Sequence, residues 1–190
     1  MDFEFASAGR VVFGAGKIDR LAQALSGWNA SKVLVVSGQG GQERYGPVLE
    51  GLQMEIIGYT VSGEPTVEDI SDGVQRAAGC DAVVAIGGGA VMDAGKAIAA
   101  VATNGGGVMD YVEVIGAGIP IKTPPLPLIA VPTTAGTGSE VTKNAVIKSN
   151  EHSLKVREFA SMGPAREHGN LSARKPIRVH LQRVAVPNTS

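Results

Sequence analysis

Short, continuous runs of hydrophobic residues recur along the first 150 positions of the chain. Each run is rich in Val, Ile, Leu or Ala and ends at a glycine, a proline or a polar residue. Runs of this kind are typical of strands that are buried on both faces, as in a parallel sheet. The pattern predicts buried strands at 33–36, 54–59, 81–86 and 126–131, and shorter strands at 3–5, 10–13 and 144–148.

Hydrophobic residues at helical spacing separate several of these runs. They occur at 18–25, at 67–78 and at 91–102, and the last of these segments consists mainly of small residues. Thr66 followed by Asp69 is typical of a helix start. Strands that alternate with helices imply right-handed crossovers, so we predict an α/β fold with a mostly parallel sheet. In such sheets, ligands bind outside the carboxyl ends of the strands.

The composition excludes several classes of protein. The 190 residues are 44% hydrophobic with a net charge of −1, which excludes a wholly disordered chain and gives no general attraction to nucleic acid. No hydrophobic stretch approaches the roughly 20 residues of a membrane span, and the acidic start at 1–5 lacks the basic flank of a signal peptide. The single cysteine, Cys80, fits a reducing compartment and is interpreted as a small buried residue. We therefore expect a cytoplasmic protein.

Three consecutive glycines at 87–89 connect the strand predicted at 81–86 to the following helix. Glycines let the backbone approach a ligand closely, and the helix start offers N–H groups and a partial positive charge that suit a diphosphate. Asp93, one turn into the helix, could accept hydrogen bonds from a ribose. The alternative is a tight turn without a ligand. The segment is neither a Walker loop nor a GxGxxG fingerprint, and the partial match at 14–16 is interpreted as a structural turn.

A second candidate segment, 132–140, follows the strand predicted at 126–131. Its hydroxyl groups could hold phosphate, ribose or a carboxamide, and their density favours ligand contact over the alternative of a Ser/Thr-rich helix cap. These hydroxyl residues are Thr133, Thr134, Thr137 and Ser139. The nearest lysines, each interpreted singly as a solvated surface residue, are Lys96, Lys143 and Lys148.

Taken together, the segments GGGAVMDAGK at 87–96 and PTTAGTGSEVT at 132–142 resemble the iron-containing (group III) alcohol dehydrogenase family. The similarity extends over residues 3–148. It implies that residues 1–150 form a Rossmann-like parallel sheet flanked by helices that binds NAD or NADP. It also implies an all-helical C-terminal domain that holds Fe²⁺ or Zn²⁺ through one Asp and three His. The reaction it implies is hydride transfer between the nicotinamide and a small alcohol or aldehyde, often in a homo-oligomer.

The resemblance assigns roles to individual residues. Gly88 and Gly89 would face the diphosphate, with Asp93 nearby. The four hydroxyl residues of 132–140 would line the nucleotide and the nicotinamide. Glu64 would lie near the adenosine, and Lys148 would approach the nucleotide from the last strand.

Two departures from the family pattern concern the cofactor. Ala90 stands where the family usually has a serine, which removes one hydroxyl from the phosphate site. NAD-preferring members often carry an aspartate after the first buried strand, whereas this chain has Gly38 within 37–40 and no carboxylate there. A 2′-phosphate is therefore not repelled, and we favour NADP slightly over NAD.

The tail, residues 151–190, breaks the family pattern. Residues 1–150 contain ten Lys and Arg against fifteen Asp and Glu, a charge of −5, whereas the tail contains seven against three, a charge of +4. Every Asp lies at or before Asp110 and every His at or after His152, so no Asp precedes a His by four residues. The family's metal-binding pair is therefore absent. We expect that the helical metal domain is missing and that the tail is disordered or a frame-shifted readthrough.

Three functions follow from these patterns. The first is an NAD(P)- and metal-dependent alcohol dehydrogenase or aldehyde reductase polypeptide, truncated and inactive by itself. The second is a non-catalytic dinucleotide-binding fragment. The third is a relative such as glycerol dehydrogenase or dehydroquinate synthase, which the segment 132–142 disfavours. No catalytic or metal-ligating residue is assigned.

Overall fold

The computed structural model describes residues 10–113, 115–149, 154–156 and 178–181. Within these ranges the strands are β1 (Arg10–Phe13), β2 (Lys32–Ser37), β3 (Glu55–Thr60), β4 (Ala82–Gly87), β5 (Leu128–Pro132), β6 (Ile147–Ser149), β7 (Leu154–Val156) and β8 (Arg178–Leu181). Six of them form a sheet in the order β1-β8-β5-β4-β2-β3. All of its strand pairs are parallel, which confirms the predicted sheet type. β6 and β7 form a separate antiparallel pair.

Helices cover both faces of the sheet. The α-helices are α1 (Leu21–Ser26), α2 (Gly41–Glu50), α3 (Val67–Arg76), α4 (Gly89–Asn104) and α5 (Val108–Tyr111), and two 3₁₀ turns span Lys17–Arg20 and Ser139–Val141. In β2, Val33 and Val35 pack in the cluster that includes residues of α1 and α2, whereas Leu34 and Val36 pack with residues of α3 and α4. Alternate side chains of a strand point to opposite faces, so a strand covered on both faces is hydrophobic throughout.

Helix α4 lies against the middle of the sheet, and its residues 91–101 are all buried. Its small residues let it approach the strands closely. A Cβ atom added at Gly95 would lie 2.7 Å from the Cβ of Ala85 in β4. The triple-glycine corner, residues 87–89, connects the end of β4 to the start of this closely packed helix.

Helix α3 begins where the sequence predicts a helix start. The backbone N–H of Asp69 donates to Thr66 Oγ1 at 3.1 Å, and Asp69 Oδ2 accepts from the backbone N–H of Thr66 at 2.8 Å. This is a capping box, in which two unpaired backbone donors at the helix start are satisfied by side chains.

The buried strands predicted from sequence are confirmed, each within two residues of its observed ends. The strand predicted at 144–148 is shorter and later, at Ile147–Ser149. The partner predicted for 10–13, the strand at 3–5, lies outside the described residues, and β1 pairs with β8. Helix α2 was not predicted, because it contains Pro47 and buries only Gly41 and Leu49, so its hydrophobic pattern is weak.

Two strands lie in the predicted tail. β7 pairs with β6, and β8 occupies the position between β1 and β5 in the main sheet. The sequence pattern predicts neither strand. The rest of 151–190 lies outside the described residues, so the boundary at residue 150 and the disordered or frame-shifted character of the tail stay predictions.

The strand order reverses between β2 and β4, and we call the carboxyl edge of the sheet at this point the crevice. The chain passes from β2 outward to β3 and then returns across β2 to β4. Such a reversal is the point at which open α/β sheets bind ligands. The segments after β2, β4 and β5, three neighbouring strands, all leave the sheet at this edge. Within the described residues, no helix is long and apolar enough to cross a bilayer.

Candidate dinucleotide site

The triple-glycine corner joins the central strand β4 to the long helix α4. Gly88 is the residue before the first turn of the helix and has extended backbone, with φ −79° and ψ −174°. It offers no side chain to cap the helix, whose first amides have no intrahelical acceptor. The corner therefore presents backbone donors and the positive end of a 16-residue helix to the crevice.

The hydroxyl-bearing segment after β5 lies directly beside this corner. Gly87 and Pro132 are paired in register, and the backbone N–H of Thr133 donates to the carbonyl of Gly87 at 2.9 Å. A Cβ atom on Gly88 would lie 3.5 Å from Thr134 Oγ1. Thr134 is exposed. The structure thus brings together two segments that are about 45 positions apart in sequence.

Thr137 completes the contact between the two segments. A Cβ atom on Gly89 would lie 3.3 Å from both Cβ and Cγ2 of Thr137. Thr137 is itself exposed, and its hydroxyl donates to Glu140 Oε2 at 3.3 Å. Its side chain therefore lies over Gly89, the third glycine of the corner, with its hydroxyl group within reach of the crevice.

Gly38 approaches the same corner from β2. A Cβ atom at Gly38 would lie 3.9 Å from Cγ2 of Val91, in the first turn of α4. The neighbouring Ser37 is buried, and its hydroxyl accepts from Gln42 Nε2 at 3.1 Å. Gly38 is therefore the residue after β2 that borders the crevice, while the hydroxyl of Ser37 is engaged inside the protein.

A buried ionic network lies beneath this surface. Lys96 Nζ is 2.8 Å from Asp93 Oδ1, and the side chains of both residues are about nine-tenths buried. Ser139 Oγ donates to Asp93 Oδ1, and the backbone N–H of Val146 donates to Asp93 Oδ2 at 3.1 Å. Both oxygens of Asp93 therefore accept hydrogen bonds from the protein. The predicted contact of Asp93 with the cofactor stays a prediction.

The ammonium of Lys96 is surrounded by oxygen atoms. Besides its ion pair it donates to the carbonyl of Ser139 at 3.0 Å, to Thr142 Oγ1 at 3.3 Å and to the carbonyl of Asn144. Burial lowers the pKa of Lys96, and the charge of Asp93 and its hydrogen bond oppose that shift. The prediction that Lys96 is a solvated surface residue is therefore wrong.

The sequence held a signal for this network. Asp93 and Lys96 are one helical turn apart, and they are charged residues within a helix that is otherwise apolar or small. Charged groups on a buried helix face are rarely tolerated without partners. The partners come from 139–146, which no spacing rule connects to α4, so their identity required the structure.

Glu64 and Lys148 belong to neighbouring segments. The backbone N–H of Lys148 in β6 donates to the carbonyl of Pro65 at 2.8 Å, which places it next to the segment that carries Glu64. Both side chains are exposed. Among the described residues, no group of three or more His, Cys, Asp or Glu side chains could hold a metal ion.

The family model and two of the relatives that match this chain point to alcohol dehydrogenases. A family model described as iron-containing alcohol dehydrogenase matches residues 8–165, extending into the predicted tail. The probable alcohol dehydrogenase EutG of Salmonella typhimurium is 45% identical over 109 residues, covering 53% of this chain and 26% of that protein. NADH-dependent butanol dehydrogenase B of Clostridium acetobutylicum is 34% identical over 167 residues, covering 82% and 41%.

Among solved structures, the sulfoacetaldehyde reductase of Bifidobacterium kashiwanohense in complex with NAD⁺ superposes with a TM-score of 0.81. It is 23% identical, and the alignment covers 96% of this chain and 46% of that one. At this identity the likeness concerns the fold.

A parallel sheet with helices on both faces and ligand-type loops at its carboxyl edge defines a Rossmann-like α/β domain. This chain belongs to the iron-containing alcohol dehydrogenase family. It spans less than half the length of the relatives described here.

Proposed function

We propose that the chain binds a nicotinamide dinucleotide as part of an alcohol dehydrogenase or aldehyde reductase. The single observation that carries this proposal is the meeting of the triple-glycine corner with Thr134 and Thr137 at the carboxyl edge of the sheet. Membership of an oxidoreductase family supports the same conclusion. The location we propose is the cytoplasm.

The corner fits a diphosphate. Glycine at positions 88 and 89 leaves open the space in which a Cβ atom would approach Thr134 and Thr137. Gly88 and Gly89 would hold the diphosphate with backbone donors, and the helix dipole of α4 would favour its negative charge. No basic side chain is required for this binding.

The two halves of the dinucleotide would extend to opposite sides of β4. On the β2 side, Gly38 would contact the adenosine ribose, and Glu64 and Lys148 would lie near the adenosine end. On the β5 side, Thr133, Thr134 and Thr137 would line the nicotinamide end. Asp93 and Ser139, which are hydrogen-bonded to each other, would hold this side of the site in place. This arrangement follows from the order β5-β4-β2-β3 at the carboxyl edge.

The absence of a carboxylate at residues 37–40 favours NADP slightly over NAD. An aspartate at this border of the crevice would repel a 2′-phosphate, and none of residues 37–41 is acidic. NADP is therefore the first cofactor to test.

The bound nicotinamide would supply or accept the hydride. The residues of this chain would bind the diphosphate, orient the nicotinamide ring with threonine hydroxyls and exclude water from one face of the ring. The described residues do not bring together a set of metal ligands, so we assign them no metal-dependent step.

A second candidate function is dinucleotide binding without catalysis. The distribution of Asp and His favours it, because no Asp in the sequence precedes a His by four residues, as the resemblance to the family requires for its metal. Under this alternative the chain binds NADPH or NADH but does not reduce an aldehyde by itself.

Binding is tested by titration calorimetry of the chain with NADPH and NADH. We expect binding by the native chain and its loss in Gly88→Val, because extended backbone at Gly88 accepts a side chain that then fills the diphosphate space. The matched control is Gly107→Val, at another extended glycine that precedes a helix. Equal binding by Gly88→Val and the native chain would contradict the proposal.

Turnover distinguishes the two candidate functions. The native chain is mixed with NADPH, a short aldehyde and added Fe²⁺ or Zn²⁺, and NADPH absorbance is followed. Oxidation of NADPH supports the first candidate, the oxidoreductase, and contradicts the second. Binding of NADPH without its oxidation supports the second candidate, the non-catalytic dinucleotide-binding fragment.

A further inference from the structure

The network of Asp93 and Lys96 is unusual for its place in the fold. Lys96 is 5% exposed and Asp93 is 8% exposed, in a helix whose other residues between 91 and 101 are buried and uncharged. Removing two charges from water carries a large desolvation penalty, and apolar residues of similar volume would often serve stability equally well. The pair is therefore better explained by what it holds in place than by net stabilisation.

The pair holds the segment that follows the hydroxyl-bearing turn. Three of the oxygens around Lys96 Nζ belong to Ser139, Thr142 and Asn144, and Asp93 accepts from Ser139 Oγ and from the N–H of Val146. Two adjacent turns of one helix thus fix the backbone of 139–146, a segment whose only regular structure before β6 is the short turn Ser139–Val141. The carbonyl and hydroxyl oxygens around this ammonium group resemble the set of oxygen ligands around a monovalent cation.

The connection continues from Ser139 to the surface of the crevice. The backbone N–H of Ser139 donates to Thr137 Oγ1 at 3.4 Å, and Thr137 lies over Gly89. A displacement of Ser139 would therefore displace Thr137 relative to the triple-glycine corner. Displacements of about 1 Å at a site can change function by about 100-fold.

We propose that Lys96 is a positioning residue, an internally tethered cation that organises the oxygens of 139–144 and so sets the place of Thr137 at the dinucleotide site. This inference rests on the proposed function for the identity of the ligand. It concerns the nicotinamide side of the site, because the segment after β5 is the one that Lys96 holds.

The test replaces the tethered ammonium with a free one. In Lys96→Ala, we expect the affinity for NADPH to fall by about tenfold, and that for adenosine 2′,5′-bisphosphate, which lacks the nicotinamide half, by less than about twofold. Ammonium chloride restores NADPH binding, whereas tetramethylammonium chloride at equal concentration does not, because it has no N–H groups to donate to the oxygens of Ser139, Thr142 and Asn144. The matched control, Lys143→Met, lies in the same segment with a half-buried side chain and leaves both affinities unchanged.

Hydrogen exchange provides a readout that does not depend on any ligand. We expect faster exchange of the amides at 139–146 in Lys96→Ala, with β2 and β4 retaining their protection. Equal loss of affinity for both nucleotides, unchanged exchange at 139–146, or no effect of ammonium would overturn the inference. Failure of the native chain to bind either dinucleotide contradicts the proposed function, and the exchange data then decide the role of Lys96.

Thr142→Val keeps the inference testable if Lys96→Ala does not fold. This variant removes the hydroxyl that accepts from Lys96 Nζ and donates to the carbonyl of Ser139 at 3.3 Å, and it leaves the ion pair intact. We expect NADPH binding to weaken by about threefold, with adenosine 2′,5′-bisphosphate unaffected and faster exchange at 139–146. Native behaviour of Thr142→Val in both measurements would count against the inference.

Discussion

Gly95 in α4 faces Ala85 in β4 so closely that a Cβ atom added to the glycine would lie 2.7 Å from the Cβ of the alanine. Neither atom can move without shifting a helix or a central strand. We expect Gly95→Ala to lower the free energy of unfolding by about 1 to 3 kcal/mol through overpacking, although alanine favours a helix by about 1 kcal/mol. Urea denaturation measures the difference.

The matched control is Gly51→Ala. Gly51 directly follows α2 and has helical backbone, φ −71°, and a Cβ atom there would meet only the carbonyl of Val48 at 3.6 Å. This substitution should leave the free energy of unfolding unchanged or raise it by up to about 1 kcal/mol. A stabilising Gly95→Ala would contradict the close approach of α4 to β4.

The sequence predicts some elements of this fold and not others. The buried strands follow from runs such as 33–36, because a strand covered on both faces leaves a continuous hydrophobic pattern. Helix α2 has no comparable pattern, since Leu49 is its single large buried side chain. β8 pairs between strands that are remote from it in sequence, and local patterns contain no information on such pairing.

The candidate site divides in the same way. The placement of Gly88, Gly89 and the hydroxyl residues is predictable, because residues that follow buried parallel strands lie together at the carboxyl edge of the sheet. The partners of Lys96 are not predictable, since Ser139 and Asn144 lie more than 40 positions away from it in sequence. The spacing of Asp93 and Lys96 in an otherwise apolar helix indicates a paired charge, but only the tertiary structure identifies the other oxygens around Lys96.

The capping box of α3 predicts a measurable loss of stability. Thr66→Ala removes the acceptor for the N–H of Asp69, and we expect the free energy of unfolding to fall by about 1 kcal/mol. The control is Ser71→Ala in the same helix, whose hydroxyl donates to the carbonyl of Val67. That carbonyl is already part of the helix, so a change within about 0.5 kcal/mol is expected. Equal effects of the two substitutions would exclude a special role for the cap.

The raised pKa of Tyr59 predicts that the free energy of unfolding falls at high pH. Burial, followed by the charges of Asp69 and Asp72, raises the pKa of Tyr59 from 10.0 to about 12. Between these values the unfolded chain loses the phenol proton while the folded chain keeps it, so the unfolded state binds fewer protons and the free energy of unfolding falls as pH rises. Below pH 10 this group contributes no pH dependence.

The check for Tyr59 is denaturation of the native chain and of Tyr59→Phe between pH 9 and pH 12. The substitution removes the hydrogen bond that the hydroxyl donates to the carbonyl of Asp69 at 2.6 Å, so the variant is less stable at pH 9. The difference between the two proteins should shrink steadily above pH 10. A constant difference over the whole range would show that Tyr59 does not ionise with a raised pKa.

Cys80 should be unreactive in the folded protein. Its side chain is buried, and burial raises the pKa of its thiol, which reduces the fraction of the reactive thiolate. We expect a disulfide reagent at pH 8 to label the folded chain far more slowly than the chain in guanidinium chloride. Rapid and complete labelling without denaturant would contradict the burial of Cys80 beside α3.

Given the proposed function, we expect a carboxylate introduced at Gly38, at the border of the crevice, to change the cofactor preference. The Cβ atom of a side chain there would lie 3.9 Å from Val91, so Gly38→Asp fits without displacing α4. Its carboxylate would accept hydrogen bonds from the ribose of NADH and repel the 2′-phosphate of NADPH. We expect the ratio of NADPH to NADH affinity to fall by at least about tenfold, which corresponds to about 1.4 kcal/mol.

Gln39→Asp separates a local contact from a general effect of charge. Gln39 is the next residue and is exposed, so this variant adds the same charge without placing it at the border formed by Gly38 and Val91. Titration of both variants with NADPH and NADH at two salt concentrations makes the comparison, because screening weakens an exposed charge more than a partly buried one. We expect a small, salt-sensitive change for Gln39→Asp and a larger, persistent change for Gly38→Asp. Identical shifts in the two variants would mean that the 2′-position of the ribose does not lie at Gly38.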